Sequence, residues 1–236
     1  MTDDGCTDGT PDLAKRIIPN IIIVKGDGML YWNRGMWTAW NEASKYDYDY
    51  YLWLNDDTDL YPHAIIKLLE VNEEYDHKAV IVGVTQDSKH KVVTYGGRID
   101  DKIPAVEGKS VSVDYFNGNI VLIPRFVYKR VGNLDFYFTH SKGDFDYGLR
   151  CKKVGISIFQ TGVVLGECEA HQSLSRWCNP DVSIQERWKA LKKPTGMPLK
   201  EIFHLNRKHY GIVPACTSVV TILLRCVFPK MWVLRK

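Results

Sequence analysis

Tyr50-Tyr51-Leu52-Trp53-Leu54-Asn55-Asp56-Asp57-Thr58 is an apolar run that closes on a carboxylate pair. A buried strand ending in two acids brings negative charge to a sheet edge, where open α/β folds bind ligands. Hard oxygen donors at such a place suit Mg²⁺ or Mn²⁺. The stretch therefore points to metal-assisted chemistry on a phosphate-bearing substrate. The bland alternative is a solvated turn, which Asn, Asp and Thr form readily after a strand. By itself the pair leaves both readings open.

Upstream, Met1 to Thr10 is turn chemistry, and Pro11 to Arg16 starts a helix with Thr10 as its N-cap. Ile21-Ile22-Ile23-Val24 is wholly apolar and β-branched, which predicts a central strand, and a helix from about Asn33 to Ser44 follows. Downstream, Pro62 opens a helix with Ile65, Ile66, Leu68 and Leu69 on its buried side, before a strand over Ala79 to Val84. This strand-helix rhythm predicts a mostly parallel sheet flanked by helices. Val92–Tyr95, Val111–Phe116 and Ile120–Ile123 are short β runs between turns, so the second half reads as mixed or antiparallel. Gly143 to Lys153 reads as a helix ending before Gly155, with Asp144 and Asp146 in its first turn, where acids favour the helix dipole whatever their function. Ile156–Phe159 and Val163–Leu165 read as short strands, and the chain from about Asp181 as helices broken between Pro194 and Pro198.

At 236 residues and 45% hydrophobic, the chain has enough material for one ample core plus an appendage. The net charge of +3 is small, and Lys and Arg are scattered until the last third, so nucleic acid is not expected as a partner. Cys6, Cys151, Cys168, Cys178, Cys216 and Cys226 form no CxxC pair and read as reduced, structural thiols of a cytoplasmic protein. The N-terminus lacks the basic and apolar regions of a signal peptide. Val213 to Phe228 is apolar but carries Thr217, Ser218, Thr221 and Arg225 and falls short of the roughly 18 residues of a spanning helix. Flanked by Arg207, Lys208, Lys230, Arg235 and Lys236, it reads either as a helix lying in a membrane interface or as a core-packing terminal helix.

Four segments in order resemble the family 2 glycosyltransferases of the GT-A fold. Asp3-Asp4-Gly5-Cys6-Thr7-Asp8-Gly9-Thr10 is similar to the family's DDGSTDGT loop, with Cys6 in place of serine. Gly26-Asp27-Gly28-Met29-Leu30-Tyr31-Trp32-Asn33-Arg34-Gly35-Met36 resembles the GDGNLWWTGGM stretch of a bacterial, rhamnosyltransferase-like subgroup. Leu54-Asn55-Asp56-Asp57-Thr58 matches that subgroup's DxD motif, and Gly143-Asp144-Phe145-Asp146-Tyr147-Gly148-Leu149-Arg150 its acidic EDxDxxxR motif.

The resemblance implies a GT-A-like catalytic domain over 1–178, nucleotide-binding to about residue 90 and acceptor-binding beyond it, followed by a helical extension over 179–236. It implies that Asp4, with Asp3 beside it, contacts the nucleotide base, that Asp57 holds Mg²⁺ or Mn²⁺ against the donor diphosphate, and that Asp56 lies near the ribose or donor sugar. Asn33, Arg34 and Gly35 fall in the donor-binding segment, and Asn117, Gly118 and Asn119 in the loop lining the sugar pocket. Asp144 matches the catalytic base, and His171 resembles a late histidine used near the metal. The implied activity is inverting transfer from a nucleotide diphosphate sugar to a saccharide or lipid-linked hydroxyl, on the cytoplasmic side and at most peripheral to the membrane. The implied strand ahead of the DDGSTDGT loop is not in this sequence, so an unpaired strand edge is expected.

Other readings fit less well. An EF-hand counted from Asp4 puts Cys6 at position 3 and Lys15 at position 12, where oxygen ligands are required. A haloacid-dehalogenase-type phosphatase motif fails at Asp57-Thr58-Asp59-Leu60-Tyr61, and no Gly-rich phosphate loop supports a sugar-phosphate nucleotidyltransferase. His171 could equally be a hydrogen-bonded structural histidine. A catalytically silent nucleotide-sugar-binding protein is the rival of another class. Trp32, Trp37, Trp40 and Trp53 read as core or pocket walls.

Overall fold

Residues buried on both faces belong in the middle of a sheet, and Val80–Gln86 and Ile120–Pro124 occupy that place here. The computed structural model of the protein describes residues 1–170 and 174–233. These divide into two units, Met1–Phe136 with Gly143–Ala170, and Tyr137–Lys142 with His171–Lys236.

The first unit runs β1 (Thr2–Asp3), α1 (Thr10–Ile17), β2 (Val24–Lys25), α2 (Tyr31–Ala43), β3 (Tyr50–Leu54), β4 (Asp59–Leu60), α3 (Ala64–Glu73), β5 (Val80–Gln86), β6 (Val93–Tyr95), β7 (Gly97–Arg98), β8 (Val111–Ser112), β9 (Tyr115–Phe116), β10 (Ile120–Pro124), α4 (Arg125–Val131), α5 (Gly143–Lys153) and β11 (Ile158–Glu167). The main sheet has seven strands in the order β3-β10-β5-β11-β4, with β6 on β5 and β8 on β11; β1–β2 and β7–β9 are separate pairs.

Only β5 and β11 pair in parallel within the main sheet, so the expected mostly parallel sheet is mixed. The strand-helix rhythm does yield β3, α3 and β5, but β10 lies between the two strands and antiparallel to both. The expected central strand at Ile21–Val24 shrinks to β2, whose partner β1 gives it a two-residue ladder. Ile22 is left 41% exposed. Thr10 is the first residue of α1 rather than its cap: Gly9 takes the N-cap position at φ 80°, and Asp8 accepts the Thr10 N–H at 3.0 Å.

α3 buries Ala64, Leu68, Val71 and Asn72, a spacing of four, three and one, while Ile65, Ile66 and Leu69 face outward. Of the four residues expected on the buried side only Leu68 is there, because the residues facing β5 are set by helix phase. β11 is one continuous strand with register shifts after Gln160 and Val164 rather than two strands.

Alternation along the strands splits the core. Val80 and Val82 point to the face covered by α2, α4 and α5, and Ile81 to the face covered by α3. Trp40, Trp53 and Tyr147 meet on the first face with ring centroids 5.1–5.5 Å apart. Trp40 Nε1, Trp53 Nε1 and the Tyr147 hydroxyl have no hydrogen-bond partner among the described residues. Burying about 150–250 Å² of ring at about 25 cal/mol per Å² contributes about 4–6 kcal/mol each. That exceeds the cost of about 1–3 kcal/mol for an unpaired polar atom, so burial wins.

The second unit contains Tyr137–Lys142, a 3-10 turn at Arg176–Cys178, α6 (Ile184–Leu191), α7 (Leu199–Tyr210), α8 (Ile212–Val227) and α9 (Lys230–Val233). Ser183 accepts the Glu186 N–H at 3.3 Å, starting α6 with a capping-box arrangement. Trp177, Cys178, Leu191 and Cys226 form its small core. Arg187 donates to the carbonyl of Cys226 at 2.7 Å and to that of Val227 at 3.4 Å, satisfying the end of α8.

Candidate functional site

The Asn55 carbonyl accepts the Thr58 N–H at 3.2 Å, closing a turn that holds Asp56 and Asp57 exposed at the end of β3. Asn55 ties this turn to two other segments. Its N–H donates to Asn119 O at 3.2 Å, and its side-chain oxygen accepts Trp32 Nε1–H at 2.7 Å. α2 and the loop between β9 and β10 thus converge on the acidic turn.

That loop carries Asn117, Gly118 and Asn119. Gly118 donates its N–H to Asp144 Oδ2 at 3.2 Å, and Phe145 N donates to Asp144 Oδ1 at 2.8 Å. A Cβ at Gly118 would stand 2.6 Å from the Trp32 ring, so glycine lets the loop pass between ring and carboxylate. The Asn117 side-chain oxygen accepts Arg98 Nε–H at 3.0 Å, and Asn119 donates to Cys168 Sγ at 3.4 Å. Burial, with the Asp57 carboxylate nearby, raises the Cys168 thiol, while Thr58 and Asn119 oppose the shift. Asp57, Asn119 and Cys168 are therefore neighbours. Cys168 is accordingly part of this region rather than a bystander, whereas Cys6 and Cys216 are exposed and do not serve the core as expected.

Asp4 Oδ1 accepts Gly28 N–H at 2.8 Å, and Oδ2 accepts Leu30 N–H at 2.8 Å and Tyr31 N–H at 3.2 Å. Its carboxylate thus organises the start of α2. Gly26 approaches Asp4 so closely that any Cβ would collide with the carboxylate. Asp3 accepts the N–H groups of Gly5 and Cys6 at 3.2 and 2.9 Å, and the bond from Cys6 leads the causes that hold its carboxyl below the usual range.

Along the unpaired edge of β3 runs a cavity of about 640 Å³, lined by Asp4, Cys6, Gly35, Asn55 and Asp56 among others. Asp4, Gly35 and Asp56, distant in sequence, are brought to one cavity. Asn33 is not on such a surface: it is fully buried and donates to Asp135 O at 2.9 Å. Arg34 donates to Phe136 O at 3.1 Å and covers the Phe136 ring at 5.0 Å. Both hold the chain ahead of α5, because the inner face of α2 packs there. Asp146, with a fully buried side chain, pairs with Arg150 at 2.8 Å, and Arg150 also donates to the carbonyls of Val131 and Asn133.

Sequence reasoning missed Trp32, Asn55 and Arg150 as positioning residues. The Asp146/Arg150 spacing of four was a usable signal; nothing local marked the contact between Trp32 and Asn55.

Among the described residues no group of three or more His, Cys, Asp or Glu side chains forms an all-protein metal cage. Mg²⁺ and Mn²⁺ need fewer, since one or two carboxylates and the substrate's phosphates suffice. Exposed Asp57, with Asp56 beside it, is a donor set of that kind. His171 lies outside the described residues.

The sequence profile described as Glycosyl transferase family 2 matches residues 1–172. No curated protein matches the chain. Among solved structures, the fold is similar to one described as the crystal structure of GalNAc-T7 with UDP, GalNAc and Mn²⁺, with a TM-score of 0.53 and 8% identity. The similarity covers 94% of this chain and 50% of that one, so the chain spans half of that protein's length. At this identity the likeness concerns the fold alone, a GT-A arrangement.

Proposed function

The chain belongs to glycosyl transferase family 2, and from that premise we propose that it transfers a sugar from a nucleotide diphosphate donor to a hydroxyl acceptor, with inversion at the anomeric carbon. The contact between Gly118 N–H and Asp144 carries the reading, because it sets a carboxylate against the loop assigned to the sugar. An acceptor hydroxyl is a poor nucleophile at neutral pH, so a positioned base must take its proton as the new bond forms. Asp144 takes that proton, and attack from the face opposite the departing diphosphate inverts the centre.

Asp3 and Asp4 shape the loop that receives the nucleotide base. Gly35 and Asp56 line the cavity that takes the rest of the nucleoside, with Asn33 and Arg34 holding α2 in place behind them. Asn117, Gly118 and Asn119 face the sugar. A bound Mg²⁺ or Mn²⁺ would stabilise the negative charge that develops on the leaving diphosphate more than it stabilises the ground state. Asp57 would hold the cation.

UDP-sugars head the donors to test, as UDP accompanies the GT-A neighbour. The acceptor is a saccharide or lipid-linked hydroxyl, and the setting is polysaccharide or glycolipid synthesis in the cytoplasm, as in the rhamnosyltransferase-like subgroup. The test is a panel of nucleotide sugars with Mn²⁺, read by nucleotide diphosphate release and thermal shift. Release with one donor is expected. Shift without release on any acceptor would favour a silent binding protein, and neither signal with any donor would sink the proposal.

A further inference from the structure

α8 is apolar on two sides, and one of them has no cover within the second unit. Ala215 and Cys226 are fully buried, Cys226 in that unit's core with Trp177, Cys178 and Leu191. Val213, Cys216, Val220, Leu224 and Val227 recur at intervals of three and four and so share one face. They are exposed, Val213 by 68%, Val220 by 54% and Leu224 by 45%. Tyr210 before the helix and Phe228 after it are each 54% exposed, aromatic residues at the two ends as in segments that lie at a lipid-water boundary.

Charge identifies what covers this face. From Arg187 to Lys236 the sequence holds eleven Lys and Arg residues and one acid, Glu201. Glu201 is buried and accepts the Thr139 N–H at 3.1 Å, so it offsets little of that charge at the surface. Since the whole chain carries +3, residues 1–186 carry a net −7 and these fifty residues +10. Arg207 and Lys230 flank α8 and are exposed. Two copies paired through this face would bring like charges together. A phosphate backbone would leave the valines and Leu224 without a partner. An anionic bilayer satisfies both features, basic flanks on headgroups and apolar stripe below them. At 16 residues, α8 spans about 24 Å, short of the roughly 30 Å hydrocarbon layer, and no helix among the described residues is long and apolar enough to cross.

We infer that the exposed face of α8 is a docking surface that lies flat on an anionic membrane, with Val213, Val220 and Leu224 in the acyl boundary and Arg207 and Lys230 at the headgroups. The inference does not depend on the transferase reading, since its readout is partitioning.

The test is sedimentation of the full chain with vesicles of phosphatidylcholine alone and of an equal mixture with phosphatidylglycerol. Binding to the mixed vesicles is expected to exceed binding to the neutral ones by about tenfold or more and to fall as salt rises. Val220→Glu with Leu224→Glu, at exposed positions, is expected to lower it by about tenfold or more with an unchanged thermal midpoint. A chain that stays in the supernatant with mixed vesicles, or a double variant that binds as well as the parent, would overturn the proposal. So would a parent chain that is dimeric without lipid and made monomeric by the same substitutions. Binding insensitive both to salt and to Arg207→Gln with Lys230→Gln would overturn the choice of an anionic surface.

Discussion

Gly118 donates its backbone N–H to Asp144 Oδ2 at 3.2 Å, and a Cβ on Gly118 would stand 2.6 Å from the Trp32 ring. The glycine is thus held between the carboxylate proposed to accept the proton and an indole that itself donates to Asn55, next to the acidic turn. Three segments far apart in sequence depend on one residue having no side chain.

Asp144→Asn separates geometry from basicity. The amide oxygen can still accept from Gly118, at the expense of the bond from Phe145 N, but the group no longer takes a proton. Turnover is expected to fall by about 10²–10⁴, with donor affinity, measured by calorimetry, changed little. Full turnover in the variant would move the base elsewhere.

Gly118→Ala tests the packing. Inserting a methyl against the indole is expected to cost about 1–3 kcal/mol, read as a urea midpoint shift at unchanged m-value. Trp32→Phe, which shrinks the ring, should recover part of that loss in a double-mutant cycle with a coupling of about 0.5–3 kcal/mol. Additive effects would mean that loop and ring do not press on each other.

Much of this arrangement was legible in the sequence, and the gaps have physical causes. The Asp56-Asp57 turn, the α5 acids and the Asn117–Asn119 loop lie where local patterning puts them, because turn chemistry and helix starts are short-range properties. Ile21–Val24 misled because an apolar run makes a central strand only when neighbours flank it, and β1 is two residues long. β10 slipping between β3 and β5 is a long-range pairing that no local period encodes. Asn33 and Arg34 sit in a stretch assigned to the donor, yet the phase of α2 turns them toward the Asp135–Phe136 backbone.

Arg150 is expected to govern stability. Arg150→Met removes the guanidinium that pairs with the buried Asp146 carboxylate and the donors that it gives to the Val131 and Asn133 carbonyls. Removing one partner of a buried pair costs about 3–5 kcal/mol, or about 2–4 °C in Tm for each kcal/mol at this size. Asp146→Asn in the same chain should restore part of it, as read by scanning calorimetry. A loss below about 1 kcal/mol, the surface-pair range, would show the pair to be dispensable.

Alkaline pH should weaken the fold through α5. Burial pushes the Cys151 thiol up to about 12, and burial likewise raises Tyr147 well above its ordinary value. An unfolded thiol ionises near about 8.5, so the Cys151 contribution is fully present below that pH. It is lost as pH rises toward about 12, because the unfolded chain releases a proton that the fold retains. Urea midpoints taken upward from neutral pH should therefore decline, and Cys151→Ala should flatten the decline. An unchanged slope in that variant would remove Cys151 as a cause.

Asp57→Asn separates the metal from the rest of the donor site. Asp57 is exposed at the turn, and the side-chain bond that it accepts from Thr58 is long, at 3.4 Å. The substitution should therefore leave Tm within about 0.5 kcal/mol equivalents, as at other surface positions. An amide is a far weaker ligand for a hard cation than a carboxylate. Donor binding titrated with Mn²⁺ should lose its metal dependence, while binding measured in chelator should equal that of the parent chain. If Mn²⁺ enhanced donor binding equally in both proteins, the cation would have to be held by other groups, and the exposed pair at the end of β3 would revert to a solvated turn.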